Sequence, residues 1–280
     1  MITNKTSVSL RSGLLLGSLL FLGLQPAAAA TLKGHPNSGS KNQSWGSLRA
    51  ATEADAQAIA VYRSGGMTPS YETNFTNPAA LQAEWQIKSD DNRDAKSCRR
   101  PENVVATGAG LRLRTLAATN CHAAWSTGTM VSNFKQKYGF FEATIKIADI
   151  GGMNNAFWLT TDDNFEIDIV EARHPSYIHL GLQNWPLPNG KGHTGMGIGA
   201  NFVEDLSRAF HEYGILWTPT EIVYEVDGQP IGAFATHSGA NGEAAIRFST
   251  MLADWAGKVP DNPVGHDMVV QSLRVYPLHN

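Results

Sequence analysis

The sequence predicts an all-β fold in which two antiparallel sheets pack face to face. Three observations carry that expectation. Apolar and polar residues alternate at a period of two over most of the chain after Gly65, Gly and Pro punctuate the intervening stretches, and helical periodicity almost vanishes beyond that point. The 280 residues, 42% of them apolar, can bury a sizeable core. No internal repeat suggests a propeller.

The first thirty residues differ from the rest. Basic Lys5 and Arg11 precede an apolar run from Gly13 to Leu24, and Ala28-Ala29-Ala30 fits a signal-peptidase site, so removal of residues 1–30 on export is expected. That run is too short for a membrane span, which needs about 20 residues, and no later segment qualifies. A secreted or periplasmic product without a membrane partner is expected. Residues 31–66, rich in Gly, Ser, Asn and Ala, read as an N-terminal arm, partly flexible and ill suited to a core strand. Within it Thr52 and Asp55 signal a helix start, and a short helix from Ala54 to Arg63 would stop at Gly65-Gly66.

Residues 67–280 are expected to form the sandwich. Leu111-Arg112-Leu113-Arg114 alternates, as do Phe141, Ala143, Ile145 and Ile147 with Glu142, Thr144 and Lys146, the pattern of strands with one buried face. Ile222, Tyr224 and Val226 run into Asp227-Gly228, a hairpin signal, and Ile231 to Ala235 would return. The segment from Met268 to Tyr276 closes the series.

Losing Lys5 and Arg11 with the leader takes the formal charge from −3 to −5. No Lys/Arg cluster could follow a phosphate backbone, so nucleic acid is not an expected partner, a densely sulfated polyanion is disfavoured, and a neutral substrate fits better. A monomer is expected. Cys98 and Cys121, the two cysteines of an exported chain, are expected to pair. Neither a C-x-x-C motif nor a second cysteine pair argues for zinc or redox chemistry, and no cofactor is expected.

The most informative segment is Asn164-Phe165-Glu166-Ile167-Asp168-Ile169-Val170-Glu171-Ala172. It is a strand by propensity and period, with Phe165, Ile167 and Ile169 on the core face and Glu166 and Asp168 on the other. At a strict period of two Glu171 would join the core, where a lone carboxylate is costly. A β-bulge near Ile169-Val170 would return it to the face of its fellows. Three acids in a row repel one another, an arrangement that folding stability alone disfavours. Retaining glycosidases need two carboxyls about 5–5.5 Å apart, one to attack the anomeric carbon and one to protonate the leaving oxygen. Pairwise repulsion would then raise the second carboxyl and keep it an acid. A solvent-facing acidic strand or a calcium site is the bland alternative.

Glu166-Ile167-Asp168-Ile169-Val170-Glu171 resembles the signature of glycoside hydrolase family 16, the laminarinase, lichenase, agarase and κ-carrageenase group, in its bulged E-x-D-x-x-E form. Other segments keep the family's order: Ser126 to Ser132 with Tyr138 to Glu142, Asn154 to Leu159, Phe210 to Pro219, and Tyr224 to Gly228. The resemblance implies a concanavalin-like jelly roll with a concave substrate cleft. It also implies Glu166 as nucleophile, Glu171 as acid/base and Asp168 as helper. Family members sometimes hold structural calcium away from the groove, but no ligand set for it is identifiable in this sequence. One departure is Gln183, where many laminarinase-like members carry a second His.

Sugar rings have apolar faces, so Trp158, Trp185 and Trp255 are candidate platforms, each with a core role as the alternative. Trp217 is expected in the core. Gln183, Asn184 and His179 could bond sugar hydroxyls, although a structural role is the commoner fate of such a His. Gly195-x-Gly197-x-Gly199 lacks the context of a dinucleotide fingerprint and reads as a flexible loop edging the groove. Three functions stay open at this level: endo-hydrolysis of a β-1,3 or mixed-linkage glucan, transglycosylation on the same site, and carbohydrate binding without catalysis.

Overall fold

The alternating segments resolve into two large antiparallel sheets. The computed structural model describes Met1 and residues 34–185, 192–237 and 239–279, so the expected leader lies, but for Met1, outside the described residues. One sheet has eight strands, ordered Gly34–Gly39, Thr194–Phe202, Tyr177–Asn184, Phe165–Arg173, Met153–Thr161, Ala244–Leu252, Thr129–Gln136 and Trp85–Ile87. The other has nine, with Gly139–Lys146 near its centre between His211–Trp217 and Met268–Tyr276.

The facing sides of the sheets bury one another. Phe157 and Phe248 stack at 4.9 Å on one sheet, and Phe141, Tyr213, Trp217 and Tyr224 fill in from the other, all fully buried. Trp217 thus takes the expected core place. Tyr224 donates its hydroxyl hydrogen to the Gly181 carbonyl at 2.6 Å, tying the sheets beneath the site described below. The hairpin at Asp227-Gly228 has φ of 51° and 78°, and Val226 pairs with Gln229, the two-residue geometry that Asp-Gly favours.

Residues 34–66 are more built-in than their composition suggests. Gly34–Gly39 pairs along Thr194–Phe202, and Ser47–Arg49 along Gln229–Ala235, so this segment supplies an edge strand to each sheet. Its helix, Glu53–Arg63, starts in a capping box formed by Thr52 and Asp55. Ile59 and Tyr62 then bury against Phe140, Leu216, Val223 and Tyr276 on the outer face of the nine-stranded sheet. At the helix end the Arg63 guanidinium pairs with Glu142, Glu212 and Glu225. Burial and the charge of Glu142 push Glu225 well above the usual carboxylate range, against the pull of Arg63.

The glycines at 195, 197 and 199 do not form a loop. They lie inside the strand Thr194–Phe202, in register with Gln183, Gly181 and His179 of the neighbouring strand. The physical reason is space. A Cβ on Gly195 would sit 1.6 Å from Gln183 Oε1, and one on Gly197 would sit 2.3 Å from His179 Nε2. Long polar side chains lie flat over this strand because the glycines facing them have none.

Candidate active site

Phe165, Ile167 and Ile169 bury against the other sheet, as a period of two requires. The pairing of this strand with Met153–Thr161 runs Thr160 to Glu166 and Trp158 to Asp168, then Phe157 to Val170 and Ala156 to Glu171. Ile169 is skipped. On the other side Gly181 faces Asp168 and His179 faces Glu171, with the register broken between them. The strand therefore bulges by one residue, with Ile169 and Val170 both buried, and Glu171 moves to the face of Glu166 and Asp168. All three acids line one cavity of about 110 Å³, together with Asn154, Trp158 and Arg99.

Hydrogen bonds set the three carboxyls apart. Glu171 accepts from Asn154 Nδ2 at 2.6 Å on one oxygen and meets His179 Nδ1 at 3.2 Å on the other. Asp168 has the Gln183 amide at 3.5 Å, and Gln183 in turn meets His193 Nε2 at 3.0 Å. The Trp185 indole N–H faces Glu166 without closing a hydrogen bond, while its ring stacks on His193 at 4.1 Å.

Charge follows from these contacts and from burial. Burial and the charge of Glu171 push Glu166 up to about 7, against the opposing pull of Arg247. Burial, with Glu166 and Glu171 beside it, drives Asp168 well above the usual carboxylate range. Burial would raise Glu171 as well, but the His179 hydrogen bond and charge, the Asn154 amide and Arg173 together bring it below its ordinary value. These contacts favour negative charge on Glu171 over Glu166 and Asp168. That is the reverse of the order expected from repulsion between the two glutamates alone, which leaves out His179 and Asn154.

The other residues singled out from the sequence are scattered around this centre. Trp158 lies half-buried in the cavity wall, its Nε1 donating to Ser249 Oγ at 3.0 Å and its ring 4.8 Å from the Arg247 guanidinium carbon. Trp255 is 48% exposed in a short turn and lies 4.6 Å from the Arg173 guanidinium. Asn184 is half-buried at the strand end, opposite Phe165. Cys98 and Cys121 form the disulfide, and Cys98 precedes Arg99 of the cavity wall.

Asn154, Arg99 and Arg247 escaped sequence reasoning. Arg247 had a signal: it alternates with buried Ile246, Phe248 and Thr250, so it faces outward with Ser249. Asn154 and Arg99 had none, since their roles come from strand pairing. Asp168, Glu171 and His179 can also bring three donor atoms within 4.8 Å of one another. An imidazole in that set suits a transition metal better than calcium, and Glu171 already has hydrogen-bond partners on both oxygens.

Two jelly-roll sheets with a cavity lined by three acids across one of them define a β-sandwich with a clustered-carboxylate site. The model of the family Glycosyl hydrolases family 16 matches residues 91–270, and the chain belongs to that family. Over 156 residues it is 31% identical to the endo-1,3-1,4-beta-glycanase EglC of Rhizobium meliloti strain 1021, covering 54% of this chain and 32% of that one. Over 102 residues it is 36% identical to the xyloglucan endotransglucosylase/hydrolase protein 2 of Arabidopsis thaliana, covering 34% of each. The chain thus spans about a third of the length of these curated relatives. Its fold matches the laminarinase catalytic domain of Thermotoga maritima MSB8 with a TM-score of 0.66 at 18% identity, over 76% of this chain and 99% of that one. The laminarinase of Rhodothermus marinus also gives 0.66, at 20% identity, over 76% and 98%.

Proposed function

We propose that this chain is an exported, retaining, endo-acting glycoside hydrolase that cuts a β-linked polysaccharide, a β-1,3 or mixed-linkage glucan, by double displacement. The observation that carries the reading is the bulge, which gathers Glu166, Asp168 and Glu171 in one cavity. Glu166 attacks the anomeric carbon as the bond to the glycosidic oxygen breaks, and Glu171 gives that oxygen its proton. The charge of Glu166 disappears in the resulting ester. Glu171, now a carboxylate, takes a proton from water, whose oxygen attacks the same carbon and releases Glu166.

The pairing that the first step needs, Glu166 ionised with Glu171 protonated, runs against the direction in which burial and the neighbouring groups shift the two carboxyls. A bound sugar has to tip it. Glu166 keeps Arg247 nearby as water leaves, whereas Glu171 loses its remaining solvent and gains a glycosidic oxygen to protonate.

The test is turnover on laminarin, mixed-linkage glucan, agarose and carrageenan, followed by proton NMR of the first products. β-Anomers formed first, and loss of turnover with binding retained in Glu166→Gln, support the reading; α-anomers first overturn it. Transglycosylation is the second reading, favoured by the match to a xyloglucan endotransglucosylase/hydrolase. It would appear as products longer than the substrate when oligosaccharide acceptors are supplied.

A further inference from the structure

Across the eight-stranded sheet, Asp168 pairs with Trp158 and Trp158 pairs with Arg247, so an arginine stands on the trough floor two strands from the acids. That spacing is roughly 10 Å, at about 4.8 Å per strand. Arg247 is half-buried, and one face of its guanidinium lies on Trp158. Nε donates to Thr160 Oγ1 at 2.9 Å. Among the described residues no carboxylate pairs with Arg247, and its two terminal nitrogens have no protein partner. Arg99 lines the cavity of the three acids and is near Arg247, whose charge burial disfavours most, Glu166 favours and Arg99 opposes; Arg99 Nη1 reaches Asp90 at 3.3 Å, and among the described residues its other terminal nitrogen makes no hydrogen bond.

Two neighbouring cations are as costly a surface as neighbouring acids, and half-burial raises the cost. Packing does not account for them. A planar guanidinium, fixed by a ring on one face and a hydroxyl at Nε, presents two parallel N–H groups in the geometry that a carboxylate or sulfate accepts. We propose that Arg247, with Arg99, forms an anion-recognition subsite, and that the polysaccharide carries an acidic group on a sugar bound beside Trp158. The inference rests on the trough being a glycan cleft and narrows its substrate to an acidic β-glycan. The chain's overall negative charge does not oppose this, because the field at a subsite is set by the charges lining it. The rival duty for Arg247 is only to favour ionised Glu166, in which case acidic and neutral glycans bind alike.

The experiment is calorimetric titration of the full chain carrying Glu166→Gln with three ladders of β-glucan oligosaccharides: neutral, carboxylated and sulfated. The expected result is binding of an acidic ladder about tenfold tighter than the neutral one, with that gain abolished by Arg247→Gln and partly kept by Arg247→Lys. The carboxylated and sulfated arms tell which acid is read. Equal affinity for all ladders, no binding of any, or an acidic preference untouched by Arg247→Gln overturns the subsite. Failure of the hydrolase reading appears separately, as no reducing ends released from any of these glycans by the unsubstituted chain.

Discussion

Nδ1 of His179 lies 3.2 Å from Oε2 of Glu171, its register partner on the adjacent strand, and a bulge makes them partners. The pairing draws negative charge toward Glu171, because His179 contributes the largest pull downward on it against burial. In the proposed mechanism Glu171 has to be protonated to assist departure, so whatever lowers it confines activity to lower pH.

His179→Ala removes that pull, and Glu171 rises. Protonated Glu171 then persists to higher pH, and the alkaline limb of the kcat/KM profile moves upward. His179→Gln, which keeps a hydrogen-bond donor without the charge, is expected to fall between. An unchanged alkaline limb in His179→Ala would assign that limb to another group.

Gly197→Ala should mimic this without touching a titratable residue. Its Cβ would meet His179 Nε2 at 2.3 Å and displace the ring from Glu171. The atom in the way ends a movable side chain, so thermal stability is expected to change by less than about 1 kcal/mol, while the pH profile shifts in the same direction as for His179→Ala. Calorimetry and a pH series measured on the same preparation separate the two effects.

The acids, the bulge between them, the disulfide cysteines and the antiparallel strands were legible because each is a local pattern: an acid at the wrong parity, two cysteines in a chain expected to be exported, alternation with turns. What escaped were facts of adjacency. Nothing in the order of residues says that Gly197 lies under His179, or that Asn154 reaches Glu171 across a strand pair. The glycine-rich stretch looked like a loop because glycine weakens strands in isolation, and its value is visible only beside the side chains that it admits.

Asp55 is held to about 2, first by the Arg49 guanidinium and also by its hydrogen bonds with Thr52, against an ordinary value of 3.8. A folded-state value below the unfolded one contributes stability that is fully present above about pH 4 and lost as pH falls through 2. Asp55→Ala should therefore cost about 2 kcal/mol at neutral pH. Its stability should also depend less on acid than that of the unsubstituted chain. Urea titrations at pH 7 and pH 3 check both statements.

Reducing the Cys98–Cys121 disulfide, whose partners are 23 residues apart, should cost about 3 kcal/mol by the chain-entropy model. Arg99 follows Cys98 in the cavity wall, so the reduced chain should also show a raised KM for its glycan at temperatures well below unfolding. A fall in melting temperature with KM unchanged would mean that the bridge serves stability alone.

Arg63 reaches the outer face of the nine-stranded sheet from a helix that precedes the family-matched region, and it answers three glutamates there. A fragment trimmed to residues 91–270 would strand those acids, bare Phe140 and Val223, and cut through the strand Met268–Tyr276. Anyone grafting this domain into a chimera has to carry its preface along: the boundary of a recognisable pattern and the boundary of a foldable body fall at different places in this molecule.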